Sequence, residues 1–234
     1  MLPEEAVKSE LSPREQLEKM RQDWDARARE NARHYVATGR EEWSDEDFFA
    51  SGDETIARFI LTDRINVCQG RDPSTMRVLE IGCGAGRVTH ALSKLFGEVH
   101  AVDVSGEMIA RARAALSDRP NVHLYQNNGS DLSVVPPQEF DFAFSFIVFQ
   151  HIPRLWIIEN YVREVHRLLR PGALFKFQVQ GVTGNGMPAN DETWAGVGIS
   201  ENEAREMAER CGFEHRHSYG VGTDCFWLWF FKHL

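Results

Sequence analysis

Residues 80–87 read EIGCGAGR. Glu80 and Ile81 close a short apolar run, RVLEIG at 77–82, with the length and composition of a buried strand, and RVTHALSKLF at 87–96 then sets Val88, Ala91, Leu92 and Leu95 on one helical face. Between them stand glycines at 82, 84 and 86. A glycine-rich turn from strand to helix brings bare backbone close to a ligand, because glycine carries no Cβ and adopts positive φ at little cost.

The pattern repeats on both sides. EVHAVDVS (98–105) is a strand, GEMIARARAAL (106–116) a helix, NVHLYQN (121–127) a strand, and FDFAFSFIVF (140–149) a long apolar strand. LWIIENYVREVHRLLR puts Ile158, Val162, Val165 and Leu169 along one helical face before Pro171 and Gly172, and ALFKFQVQ (173–180) is the next strand. Strands alternating with helices pair in parallel through crossovers, which predicts a three-layer α/β sheet. At the end the rhythm changes: a helix opened by a Ser200/Glu203 capping box is followed by EHRHSYGVG and TDCFWLWFFK with no helix between, an antiparallel hairpin at the sheet edge. CFWLWFF reads as a core strand at that edge, with Trp227 and Trp229 leaving a dimer contact open.

Ahead of this body, Leu17, Met20, Trp24, Ala28 and Ala32 recur every three or four places and predict an amphipathic helix over about 12–36. Ser44 begins a short helical turn, and a further helix follows Asp53 through Ile56, Phe59, Ile60 and Ile65.

Composition narrows the function classes. The 234 residues suffice for one domain with a full core plus an appendage, and 42% hydrophobic with 26% charged residues is a soluble balance. No apolar run approaches the roughly 20 residues of a membrane span, and the start, MLPEEAVKSELSPREQ, is too polar for a secretory signal. The net charge of −9 argues against a broad nucleic-acid surface, although four arginines lie between Arg27 and Arg40. The cysteines at 68, 83, 211 and 225 have neither zinc-site spacing nor disulfide density, so reduced thiols in a cytoplasm and no metal are expected.

The glycine spacing decides among ligands. A dinucleotide fingerprint wants a glycine or small residue at the sixth position from Gly82, which is Arg87, and a phosphate-binding loop lacks its Lys and Ser/Thr. Asp103 ends the second strand 21 residues after Gly82, where a carboxylate accepts from both hydroxyls of a ribose.

At this point five ordered segments, VLEIGCGAGRVT, VHAVDVSGEMIARAR, NNGSDL, FDFAFSFIVFQHI and EVHRLLRPGALF, resemble the signature segments of class I S-adenosylmethionine-dependent methyltransferases of the small-molecule type, over roughly residues 76–180. The resemblance implies a Rossmann-like sheet of seven strands in the order 3-2-1-4-5-7-6, the seventh antiparallel. It implies S-adenosylmethionine as cofactor, with S-adenosylhomocysteine as product. Gly82, Cys83 and Gly84 would wrap the methionine part, Glu80 support the loop, Asp103 hold the ribose, and Val104 and Met108 flank the adenine. Aligning on Asp131 and Leu132 puts Asn128, Gly129 and Ser130 at the adenine amino group, and Phe146 and Ile147 at the amino-acid end.

Methyl transfer from a sulfonium needs an aligned nucleophile, exclusion of water, and a base only for a protonated acceptor. His151 stands where such enzymes carry a base or an orienting residue, and equally reads as a structural residue at a helix start; Gln150 is a second orienting candidate. Trp24, Arg33 and Tyr35 resemble the segment that closes over the donor, so residues 1–55 are expected to form a helical extension or lid on a methyltransferase domain at 56–234. The glycine-rich stretch GVTGNGMPANDETWAGVG adds Met187 and Trp194 as substrate contacts. The expectation is a methyltransferase, monomer or homodimer, acting on a small molecule; a noncatalytic donor-binding protein and an NAD-dependent oxidoreductase are the rivals.

Overall fold

The computed structural model describes residues 11–184 and 193–234. Its helices are α1 (Pro13–Val36), α2 (Asp45–Phe59), α3 (Arg64–Cys68), α4 (Arg87–Leu95), α5 (Gly106–Ala115), α6 (Leu155–Leu168) and α7 (Glu201–Arg210). Its strands are β1 (Arg77–Ile81), β2 (Glu98–Asp103), β3 (Val122–Gln126), β4 (Phe140–Ser145), β5 (Leu169–Gly181), β6 (Gly198–Ile199), β7 (Phe213–Tyr219) and β8 (Phe226–Lys232). They form one sheet in the order β3-β2-β1-β4-β5-β8-β7, with the two-residue β6 beside β5. The first five strands pair in parallel; β8 runs antiparallel to both β5 and β7. This is the expected order, renumbered by the small β6.

Each face of the sheet is buried by helices, as parallel pairing requires. Ile158, Val162 and Val165 of α6 and Met207 of α7 pack with Leu79, Phe175 and Phe177 on one face. Ile56, Val88 and Leu92 from α2 and α4 pack with Val78, Phe142 and Phe144 on the other. Among the described residues, no helix is long and apolar enough to cross a membrane.

Three local expectations are corrected. β4 stops at Ser145 instead of continuing to Phe149: Ile147 takes a left-handed φ of 58°, its N–H donates to Gln178 Oε1 at 3.2 Å, and Phe149–His151 form a 3-10 turn. Residues 146–149 are apolar because they face core and cavity, and the sequence pattern cannot separate that from strand burial.

The turn at Ser44 and the helix after Asp53 are one helix, α2, capped by Ser44 Oγ accepting from Asp47 N at 3.1 Å. Gly52 sits mid-helix because a Cβ there would stand 2.2 Å from Arg87 O, so α2 and α4 touch at backbone distance. The division at 55/56 falls inside this helix.

Lastly, β8 is not the edge strand. It lies between β5 and β7; Trp227 is buried, and Trp229 Nε1 donates to Asp63 Oδ2 at 2.6 Å.

Candidate functional site

Three loops leave the C-terminal ends of β1, β2 and β4 and converge on one cavity. The first is the glycine turn. Gly82 N and Cys83 N donate to Val102 O at 2.8 and 3.0 Å, and Gly84 N donates to Asp103 Oδ2 at 2.8 Å, so the turn is strapped to the end of β2. Gly82 and Gly84 take φ of 77° and 52°; added Cβ atoms would stand 2.2 Å from Val148 and 2.5 Å from Val36 respectively. Side chains are excluded there on both counts.

Asp103 ends β2 and is the second element. Its Oδ1 accepts from Ser105 N at 2.9 Å. Burial raises its pKa to about 6, against the pull of those backbone donors. Beneath the turn, Glu80 is fully withdrawn from water, accepts from Thr89 Oγ1 at 2.6 Å, and is pushed up to about 7 by burial.

Arg87, the first residue of α4, is buried in the same wall. Its Nη1 donates to Ser51 O at 3.1 Å and Thr55 Oγ1 at 3.0 Å of α2, while its Nε has no partner among the described residues. Burial lowers its pKa to about 10.

His151 closes the far side. Its Nδ1 bonds the Trp194 carbonyl oxygen. A carbonyl only accepts, so Nδ1 carries the proton and the neutral ring leaves Nε2 as acceptor. Gln150 Nε2 lies 3.4 Å from that Nε2, and Gln178 holds Gln150 by bonding its Oε1. Burial pulls the His151 pKa below 6.5, partly countered by the Trp194 bond. The ring packs against Trp194 at 4.9 Å and Trp24 at 5.4 Å between centroids.

α1 roofs the cavity with Met20, Trp24, Tyr35 and Val36. It is pinned to α5 by Asp25, whose Oδ1 accepts from Ser105 Oγ at 2.6 Å and Glu107 N at 3.2 Å at the start of that helix, the favoured end for a carboxylate.

Of the residues singled out from sequence, the cavity brings together Trp24, Tyr35, Glu80, Gly82, Cys83, Gly84, Asp103, Val104, Met108, Phe146, Ile147 and His151. It does not include Asn128, Gly129 or Ser130. Asn128 is exposed and spends its side chain on Asp131 Oδ2 at 2.6 Å and on Ser130 N at 2.9 Å. Asn127 lines the cavity in its place, donating to Tyr161 OH at 2.7 Å. Gln150 and Trp194 touch His151 without lining the cavity, and Met187 lies outside the described residues.

Sequence reasoning missed Met20, Val36, Asn127, Val148 and Tyr161, which reach the cavity through tertiary packing alone, and used Arg87 only as an obstacle to dinucleotides. The arginines between 27 and 40 are engaged: Arg27 with Thr193, Arg29 with Glu107, Arg33 with Asp45 and Arg40 with Asp47.

Comparison with known proteins agrees with this geometry. Residues 78–172 match the family model of the methyltransferase domain. The chain is 29% identical over 158 residues to a probable S-adenosylmethionine-dependent methyltransferase of Mycolicibacterium smegmatis, covering 66% of this chain and 56% of that protein. It is 31% identical over 97 residues to a ubiquinone biosynthesis O-methyltransferase of Xanthomonas campestris, covering 41% and 39%. The chain thus spans about half or less of the length of these curated relatives. In fold it is similar to magnesium protoporphyrin IX methyltransferase from Synechocystis, at 14% identity and a TM-score of 0.64 over 97% of this chain and 100% of that one. By the ordered segments, the sheet order and these matches together, the chain is similar to the class I S-adenosylmethionine-dependent methyltransferases, with the methyltransferase-domain model matching residues 78–172.

Proposed function

We propose that the chain binds S-adenosylmethionine between the Gly82–Gly84 turn and Asp103 and transfers its methyl group to a small-molecule acceptor held near His151. The observation that carries this reading is that Asp103, Arg87 and His151 meet around one cavity. Asp103 is a half-buried carboxylate whose raised pKa calls for hydrogen-bond donors, which ribose hydroxyls are. Arg87 has an orphan buried Nε, and an amino-acid carboxylate satisfies it.

When bound, the sulfonium supplies an electrophilic methyl carbon; the chain's residues bind, orient and exclude water. His151 Nε2 takes the proton of an acceptor hydroxyl or amine while Trp194 O holds the imidazole in the tautomer that permits it. The names of the ubiquinone-biosynthesis relatives support testing hydroxyl acceptors first.

The 1–55 extension is the lid on this reading. With α1 in place, Met20, Trp24, Tyr35 and Val36 cover the cavity beside the glycine turn. On this reading α1 shifts outward to admit the donor, and its return excludes water.

Calorimetric titration with S-adenosylhomocysteine and, separately, with NAD tests the reading. One equivalent of S-adenosylhomocysteine bound with no response to NAD supports it; NAD binding alone overturns it. A screen of hydroxyl and amine acceptors with labelled donor, in the wild type and in His151→Ala, then tests turnover. Equal rates in the two would remove His151 from the role of base.

A further inference from the structure

At the other end of β2, roughly 16 Å along the strand from Asp103, three metal-binding side chains converge outside the site described above. Glu98, His100 and His123 each offer one ligand atom, a carboxylate oxygen and two ring nitrogens, all within 4.8 Å of one another. Glu98 Oε1 is 2.7 Å from His100 Nε2 and 3.4 Å from His123 Nε2. We propose that this cluster is a zinc site that clips β2 to the edge strand β3.

Two features of the fold place the ligands. Glu98 and His100 lie two apart on β2 and so share a face, and the parallel register sets His100 directly beside His123 of β3, their rings 4.5 Å apart. Three ligands each about 2.0–2.2 Å from a common ion stand a little over 3 Å from one another. The observed separations need only small side-chain rotations to reach that.

The donor set is two imidazoles and one carboxylate, which suits zinc and is too poor in oxygen for magnesium or calcium. Tyr125 OH lies 3.0 Å from His100 Nδ1, the outer-shell partner that turns the opposite nitrogen toward a metal.

Two groups compete for the site. Arg77 Nε donates to Glu98 Oε2 at 2.6 Å, which leaves Oε1 as the ligand oxygen. Gln138 Nε2 lies 2.8 Å from His100 Nε2, and this amide must turn aside for the ion to enter. His123 is half-exposed, which gives the ion a path from solvent. Zinc would take the Nε2 lone pair of neutral His100 in the tautomer that keeps its proton on Nδ1, facing Tyr125 OH.

The test is a titration of untagged, chelator-treated full chain with zinc chloride, read by calorimetry and by thermal melting. The expected result is one equivalent bound at micromolar zinc or below with a rise in Tm, and an affinity loss greater than about tenfold in both His123→Ala and Glu98→Gln, since even outer-shell partners act on that scale. Because His123 is half-exposed, its variant is expected to fold as the wild type does without zinc. Absence of binding to the wild type, or equal affinity in the wild type and both variants, overturns the proposal.

Discussion

At the scale of the residue, the cavity is governed by two carboxyls held where water is scarce. Burial raises Asp103 to about 6 and Glu80 to about 7, above the ordinary carboxylate range. A carboxyl whose folded pKa exceeds its unfolded one contributes stability that is present below the unfolded value and is lost as pH rises through the folded one. Glu80→Gln keeps an acceptor for Thr89 and removes the charge, so its Tm is expected to fall less than that of the wild type between pH 5 and pH 8. An identical fall would show that the carboxyl is not held up by its surroundings. On the proposed function Asp103 holds the donor: Asp103→Ala is expected to weaken S-adenosylhomocysteine binding by about 1–3 kcal/mol, the scale for hydrogen bonds to a charged group. Wild-type affinity should decline as pH drops through about 6, where the carboxylate takes up a proton; calorimetry at pH 5 and pH 7.5 checks both.

Among elements, α1 is the proposed lid over the donor. Ser12 and Glu15 form its capping box and Pro13 its first residue, so its start is written locally. Its destination is not: Asp25 reaches the start of α5, and Val36 rests on the glycine turn at Gly84. Removing residues 1–40 is expected to leave a folded product with clearly weakened S-adenosylhomocysteine binding, measured by calorimetry alongside circular dichroism. Unchanged affinity would deny α1 the part of lid. At the turn itself, Gly84→Ala puts a Cβ at positive φ and against Val36, and should cost about 1–2 kcal/mol in urea denaturation.

For the whole molecule, one buried ion pair ties the early helices to the late strands. Lys176 of β5 is almost fully buried, donates to Asp63 Oδ2 at 2.8 Å and to Phe59 O at 2.6 Å, and lies over the Trp229 ring at 4.4 Å. Asp63 sits between α2 and α3 and also accepts from Trp229 Nε1 of β8. Lys176→Ala strands a part-buried carboxylate, and about 3–5 kcal/mol should be lost in urea denaturation. Lys176→Met, which fills the space, should be no less destabilising than the alanine only if the charge is what matters; a large recovery would assign the loss to packing.

The sheet order was legible because each of its signals is local: apolar runs at 77–82, 98–105 and 140–149, the helical periods between them, and the hairpin without a helix after Gly212. The same holds for the glycine turn and Asp103, where backbone geometry forces particular residue types at fixed spacing. Asn127 and Asn128 mark the limit, since two identical neighbours differ only in which one the end of β3 turns inward. Tyr161, Val36 and the Trp194 carbonyl reach the cavity from elements far apart in the chain, and no local pattern encodes that meeting. By itself, then, the sequence determined the strand–helix alternation, the glycine turn and the place of Asp103 at the end of β2, because period, capping and glycine chemistry act over a few residues. Only the tertiary structure decided that β4 ends early to line a cavity, that α1 roofs it, which His151 nitrogen carries the proton, and that Glu98, His100 and His123 meet, because those depend on packing between elements distant in sequence.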